Sequence, residues 1–265
     1  MTDARRIGAV AAVPQPFEEA LLGMLVWRVT VDGAARPDDV AALAVSVRVE
    51  GVGLAMCRLA DGDPAIPLFM AAGFRVVEVL LTHQAPLEAA AEVPAGIRVA
   101  SEADIAACRA IAAASFRFDR FHADPAIDDS AADAQKAQWI ENAVRGRADT
   151  VLVAETDGAV SGFNACHLRG ETAVIDLIAV HPEAQGRGIG HTLVAGAFAH
   201  YAGRARVLQV GTQEDNRASR RLYERFGFAP VTRQVTLHWT PGAEKVASPS
   251  AAGAVADRPA ERPSR

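Results

Sequence analysis

The most regular pattern in the chain is a run of apolar residues from 173 to 180, broken only by Asp176. A run without alternation predicts a strand buried on both faces of a sheet. Pro182 lacks an N–H and ends the pairing. Further on, Leu193, Val194, Ala197, Phe198 and Tyr201 recur at helical spacing and predict a helix with one apolar face. Between strand and helix lies Gln185-Gly186-Arg187-Gly188-Ile189-Gly190, a glycine-rich loop in which the backbone can turn sharply.

The same patterning orders the rest of the chain. Residues 1–16 read as a loose leader. Residues 21–31 predict a strand, and Pro37 with Asp38 and Asp39 opens a helix. A second strand is expected at 52–59, a helix at 64–72 stopped by Gly73, and a third strand at 74–81. The first half, residues 17–95, is therefore expected to be a small β-α-β-α-β subdomain. Residues 85–96 are rich in Pro, Ala and Glu and read as a linker, which places a boundary near residue 96. Residues 97–100 begin a new strand, and Ser101 to Asp104 supply an N-cap and first turn for a helix through Ile105, Cys108 and Ile111.

A helix is expected at 133–145, strands at 150–155 and 160–168 around Thr156-Asp157-Gly158, and a strand at 207–212. A helix over 216–226 and closing strands to Trp239 complete a second domain, residues 96–240. Residues 241–265 are low in large apolar side chains and rich in Ala, Pro and Ser, so they are expected to be disordered.

Composition narrows the possibilities. The chain has 265 residues, half of them hydrophobic, so a sizeable core is available. No apolar run reaches membrane-spanning length, and the N-terminus lacks the apolar core of a signal peptide. Cys57, Cys108 and Cys166 are scattered and odd in number, which argues for a reducing cytoplasm over a disulfide framework. No cluster has metal-ligand spacing, so no metal is expected, and His167 and His181 read as structural or surface residues. A net charge of −5 argues against a nucleic-acid partner. Between residues 185 and 225, however, seven arginines face only Glu214, Asp215 and Glu224.

That local excess of positive charge surrounds the glycine loop. The loop's N–H groups and those of the first helical turn are unpaired and converge, and the helix dipole adds partial positive charge. Such a place suits a phosphate or diphosphate, and Arg187 adds a full charge. The dinucleotide fingerprint fails because His191 stands where its third glycine would fall, and no Gly-Lys-Ser/Thr follows.

The pattern Gln-x-x-Gly-x-Gly after a strand, here Gln185 to Gly190, resembles the acetyl-CoA loop of the GNAT acetyltransferase superfamily. Residues 216–228, a helix ending in Tyr-x-x-x-Gly-Phe with Tyr223, Gly227 and Phe228, resemble the same superfamily's second motif. The resemblance implies an α/β GNAT fold with a mixed central sheet in the second domain and acetyl-CoA as co-substrate.

More narrowly, residues 137–146, 17–23 and 72–78 are similar to segments of the TDP-fucosamine acetyltransferase family, and residues 117–125 resemble a version found among its relatives. That resemblance implies acetylation of the amine of a nucleotide-linked amino sugar of the dTDP-4-amino-4,6-dideoxyhexose type. It departs from that family in its fuller cofactor loop, which leaves open another small amine, such as an antibiotic, and a CoA-binding module without catalysis. A homodimer is also left open.

The resemblance implies roles for particular residues. Gln185, Gly186, Arg187, Gly188, Ile189, Gly190 and His191 would hold the cofactor's diphosphate. The strand edge at Leu177, Ile178, Ala179 and Val180 would pair with its pantetheine amides, and Asn216 would hydrogen-bond the same arm. Tyr223 would be the general acid for the CoA sulfur, and Glu78 would take the amine's proton, directly or through water. Arg117, Arg120 and His122 are candidates for the acceptor's own diphosphate.

Overall fold

The computed structural model describes residues 4–87 and 92–242. In chain order, β1 (Arg5–Ile7), β2 (Val10–Pro14), α1 (Pro16–Leu22), β3 (Val26–Val31), α2 (Pro37–Val49), β4 (Leu54–Ala60), α3 (Ala65–Ala71) and β5 (Arg75–Pro86) form the first half. The second half holds β6 (Ile97–Val99), α4 (Ile105–Ser115), α5 (Asp129–Asn142), β7 (Thr150–Thr156), β8 (Ala159–Arg169), β9 (Thr172–Val180), α6 (Ile189–Tyr201), β10 (Val207–Gln213), α7 (Arg217–Arg225) and β11 (Ala229–Trp239).

All the strands join one mixed sheet in the order β1-β2-β3-β4-β11-β5-β10-β9-β8-β7-β6. The pairs β3/β4 and β9/β10 are parallel and the others antiparallel. β11 inserts between β4 and β5, so the sheet crosses residue 96 without a break. Its inward residues Val235, Leu237 and Trp239 pack with Leu43 and Val47 of α2 and Phe69 of α3. In the second half, Ile111 of α4, Ile140 of α5, Phe163 of β8 and Leu177 of β9 share a core. Among the described residues no helix is long and apolar enough to cross a membrane.

Several elements differ from the sequence expectations. The leader is a β-hairpin, because β1 pairs with β2 and β2 with β3, and Val10 and Ala12 are buried in the first-half core. Residues 21–22 end a helix, and the strand starts only at Val26. Gly23 takes the left-handed conformation, φ 65°, that closes α1. The third strand runs on to Pro86, so Ala85 is buried in the sheet and only the later part of 85–96 connects the halves. Residues 88–91 of that connection and nearly all of the 241–265 tail lie outside the described residues. α5 starts at Asp129 because the Asp128 carboxylate accepts from the Ser130 N–H as an N-cap. The closing strands are one bulged strand, β11.

One irregularity shapes everything that follows. β9 and β10 pair only from Thr172 with Val207 to Ile175 with Val210. β9 then continues to Val180 beside β8, while β10 continues to Gln213 beside β5. The two strands part, and the sheet opens between them. The facing edges there keep backbone groups available to a ligand.

Candidate active site

The opening between β9 and β10 is the floor of a cleft of about 690 Å³. Its walls come from residues 174–180 of β9, 209–213 of β10, the glycine loop, one face of α7, residues 115–120, and Arg58 and Glu78 from the first half. Of the residues singled out from the sequence, the cleft gathers Glu78, Arg117, Arg120, Leu177, Ile178, Ala179, Val180, Gln185, Gly186, Gly188, Ile189, Gly190, Asn216 and Tyr223. Arg187, His191 and His122 do not line it.

The loop has the backbone geometry that can hold an anion. Gly186 and Gly188 have φ of 76° and 83°, which side-chain-bearing residues rarely adopt. Gly188 is the N-cap of α6 and no side chain bonds to the first helical turn, so its N–H groups point outward uncapped. Gln185 Nε2 donates to Val180 O at 3.2 Å and ties the loop back to the strand. Arg187 is exposed, and the ring of His191 packs 4.4 Å from that of Phe226 on the outer side. A diphosphate-bearing cofactor with an amide-bearing arm fits these residues: the uncapped turn would take the phosphates and the open β9 edge the amides.

Tyr223 lies on α7, 2% exposed, with its ring 5.6 Å from Phe228. Burial holds its phenol well above the usual tyrosine range, partly offset by a hydrogen bond with Ser219, so it keeps its proton at neutral pH. Asn216 also lines the cleft, and its Oδ1 accepts from the Ser219 N–H at 3.1 Å as the N-cap of α7. The cap leaves its amide N–H₂ for a ligand.

Glu78, on β5, is 7% exposed. Its Oε1 accepts from Arg58 Nη2 at 2.7 Å and Thr236 Oγ1 at 3.0 Å, and its Oε2 from Gln213 Nε2 at 2.9 Å. This carboxylate is therefore fixed in place by three elements, β4, β11 and β10.

The arginine- and histidine-bearing segment divides. His122 is turned inward: Nδ1 is 2.5 Å from Asp119 Oδ2 and Nε2 is 3.0 Å from Asp133 Oδ1. The Asp119 hydrogen bond raises its pKa, against the effect of burial. Arg117 is exposed and pairs with Asp133 at 3.0 Å. Arg120 faces the cleft with no hydrogen-bond or ion-pair partner among the described residues; Phe121 underlies its guanidinium at 4.5 Å.

Among the cleft residues to which the sequence reading assigned no role are Arg58, Lys136, Trp139 and Asp176. Arg58 holds Glu78; Lys136, nearly buried, points its ammonium among the rings of Phe116, Phe121 and Trp139 and toward Asp119. Burial lowers the Lys136 pKa, and Asp119 opposes that. Trp139 donates its Nε1–H to Asp176 Oδ2 at 2.9 Å, and His167 Nε2 lies 3.4 Å from the same oxygen. Arg58 and Asp176 did carry a signal, since each is the lone charge in an apolar strand. Among the described residues no group of three or more His, Cys, Asp or Glu could hold a metal ion.

Residues 108–228 match the model of the acetyltransferase (GNAT) family. The dTDP-fucosamine acetyltransferase of Escherichia coli is 35% identical over 171 residues, covering 63% of this chain and 71% of that protein. The spore coat polysaccharide biosynthesis protein SpsD of Bacillus subtilis is 33% identical over 131 residues, 49% of this chain; the match spans only 45% of SpsD. Among solved structures, a GCN5-related N-acetyltransferase from Kribbella flavida superposes with a TM-score of 0.61 over 91% of this chain and 90% of that one, at 17% identity. At that identity the likeness is one of fold.

Proposed function

The chain belongs to the GNAT acetyltransferase family, and we propose that it moves an acetyl group from acetyl-CoA to the amine of a nucleotide-linked amino sugar. The observation that carries the reading is one cleft that gathers the uncapped glycine loop, Tyr223, Glu78 and Arg120, which has no ion-pair partner among the described residues. The relatives that act in dTDP-fucosamine acetylation and in polysaccharide biosynthesis support the sugar acceptor.

In this reading the amine attacks the thioester carbon, a C–N bond forms and the C–S bond breaks. The amine gives up a proton and the leaving sulfur takes one. Residues 177–180 position the thioester through the open β9 edge and offer an N–H to its oxygen. Tyr223, protonated and buried at the cleft wall, supplies the sulfur's proton. Glu78 receives the amine's proton, directly or through water. Asn216 holds the cofactor arm, and the loop from Gln185 to His191 its diphosphate. Of Arg117, Arg120 and His122, Arg120 takes the acceptor's anionic group, because the other two are committed to Asp133 and Asp119.

The test is CoA release from acetyl-CoA with dTDP-4-amino-4,6-dideoxyhexoses beside free amino sugars and aminoglycosides. Turnover confined to the nucleotide sugars supports the reading. Turnover confined to other amines keeps the family chemistry and removes the acceptor assignment.

A further inference from the structure

The three phenylalanines of residues 116–121 have different surroundings. Phe121 is fully buried with Val26, Leu54 and Ile127 beneath the first half. Phe116 packs beside the core of α4, α5 and β9 and lies 5.5 Å from the Lys136 ammonium. Phe118 is 47% exposed, lines the cleft, and has no ring or cation partner among the described residues. A bare aromatic face at the wall of a cleft is surface available for stacking.

Two residues later the chain presents Arg120. Each neighbouring cation of this wall has its carboxylate: Arg58 has Glu78 at 2.7 Å, Lys136 has Asp119 at 3.4 Å, and Arg117 has Asp133 at 3.0 Å. Arg120 has none among the described residues. Burial, with Arg58 nearby, works against its charge, while Glu78 and Asp119 favour it. A half-buried guanidinium without an acceptor is in want of an anion, and its planar fork matches phosphate oxygens two at a time.

The segment also has a direction. Ser115 Oγ donates to Val180 O at 3.1 Å, so it leaves the cofactor strand there and runs toward Arg58 and Glu78. The cofactor's diphosphate site is the glycine loop, a separate wall of the cleft. An anion held at Arg120 lies on the side of Glu78, where the reading above places the acceptor.

We infer that Phe118 and Arg120 together form the subsite for the nucleoside diphosphate of the acceptor, the guanidinium holding the diphosphate and the exposed ring stacking on the base. This deepens the nucleotide-sugar reading and rests on it for the acceptor's identity.

The test uses the full chain with saturating CoA, which occupies the cofactor loop. Calorimetric titrations with dTDP, thymidine and inorganic pyrophosphate are compared for the wild type, Phe118→Ala, Phe118→Trp and Arg120→Met, with circular dichroism as the check on folding. The wild type is expected to bind dTDP alongside CoA. Phe118→Ala should weaken dTDP about tenfold, the scale of one base stack, and leave pyrophosphate unchanged. Phe118→Trp should restore dTDP binding. Arg120→Met should weaken both dTDP and pyrophosphate roughly tenfold or more.

Affinities for dTDP that ignore both positions, or dTDP binding that CoA abolishes, overturn the subsite. If dTDP follows the expected pattern but no nucleotide amino sugar is acetylated, the subsite stands and the acceptor reading falls. If nucleotide sugars turn over with KM unchanged in Phe118→Ala and Arg120→Met, the acceptor reading stands and the subsite falls.

Discussion

Arg58 Nη2 donates to Glu78 Oε1 across 2.7 Å, from β4 to a carboxylate that is 7% exposed on β5. The two strands are not neighbours in the sheet: β11 lies between them, and its Thr236 adds a second contact to the same oxygen. A first-half pair thus supplies a wall of a cleft whose glycine loop belongs to the second half.

If Glu78 receives the amine's proton, Glu78→Gln should shift the rise of kcat/KM to higher pH, because the amine must then lose its proton to solvent before attack. The pH dependence of kcat/KM for wild type and variant is the measurement. An unchanged profile removes Glu78 from that role and leaves it as the partner of Arg58.

Tyr223→Phe keeps the ring against Phe228 and removes only the hydroxyl. If Tyr223 is the general acid, this should lower kcat by roughly 10²- to 10⁴-fold, while the melting temperature changes little because one hydrogen bond contributes about 1 kcal/mol. A loss under threefold in a folded variant assigns Tyr223 to the core alone.

Gly188 and Gly190 separate backbone strain from crowding. A Cβ at Gly188 would meet nothing within 4 Å, but its φ of 83° is unfavourable for alanine. Gly188→Ala should therefore destabilise by about 1–2 kcal/mol and raise KM for acetyl-CoA. At Gly190 φ is ordinary and the added Cβ would sit 3.4 Å from Leu222 Cδ2, so Gly190→Ala should fold nearly as well as wild type. Thermal melts and acetyl-CoA KM for both variants check this; equal destabilisation would remove the strain argument.

His122 carries a pH signature. Its pKa is raised in the fold by Asp119 hydrogen bonding, with a further contribution from Asp133. A raised histidine pKa contributes stability that is fully present below the unfolded value of about 6.5 and is lost as pH rises through the folded value. His122→Gln should therefore destabilise more in mildly acidic than in alkaline buffer. Melting temperatures of both proteins across that range are the test, and a penalty that grows with pH would contradict the sign.

The glycine loop was legible because its signal is local. Gln185 to Gly190 needs only its own backbone freedom and the helix that follows to turn uncapped N–H groups outward. The same holds for β9, for the Asn216 cap and for the Tyr223 face of α7. The hairpin of residues 5–14 was not legible, because short strands with weak alternation are stabilised by the neighbour they pair with, here β3. Nor was α1, whose last residues Leu21 and Leu22 look like strand residues until Gly23 ends the helix.

The segment of residues 116–122 shows the limit most clearly. Residue types in the stretch around Arg117, Arg120 and His122 marked it as unusual, but not which charge stayed unpaired. That was decided by Asp133 and Lys136, brought from α5 onto the same segment, and by Asp119 within it. The sequence alone determined the glycine-rich loop and the helix that carries Tyr223, since each rests on contacts within a few turns of the chain. Tertiary structure alone decided that β9 and β10 part, that Glu78 meets Arg58 and Gln213, and that Arg120 is left open, because ion pairing and strand pairing depend on which distant groups share a space.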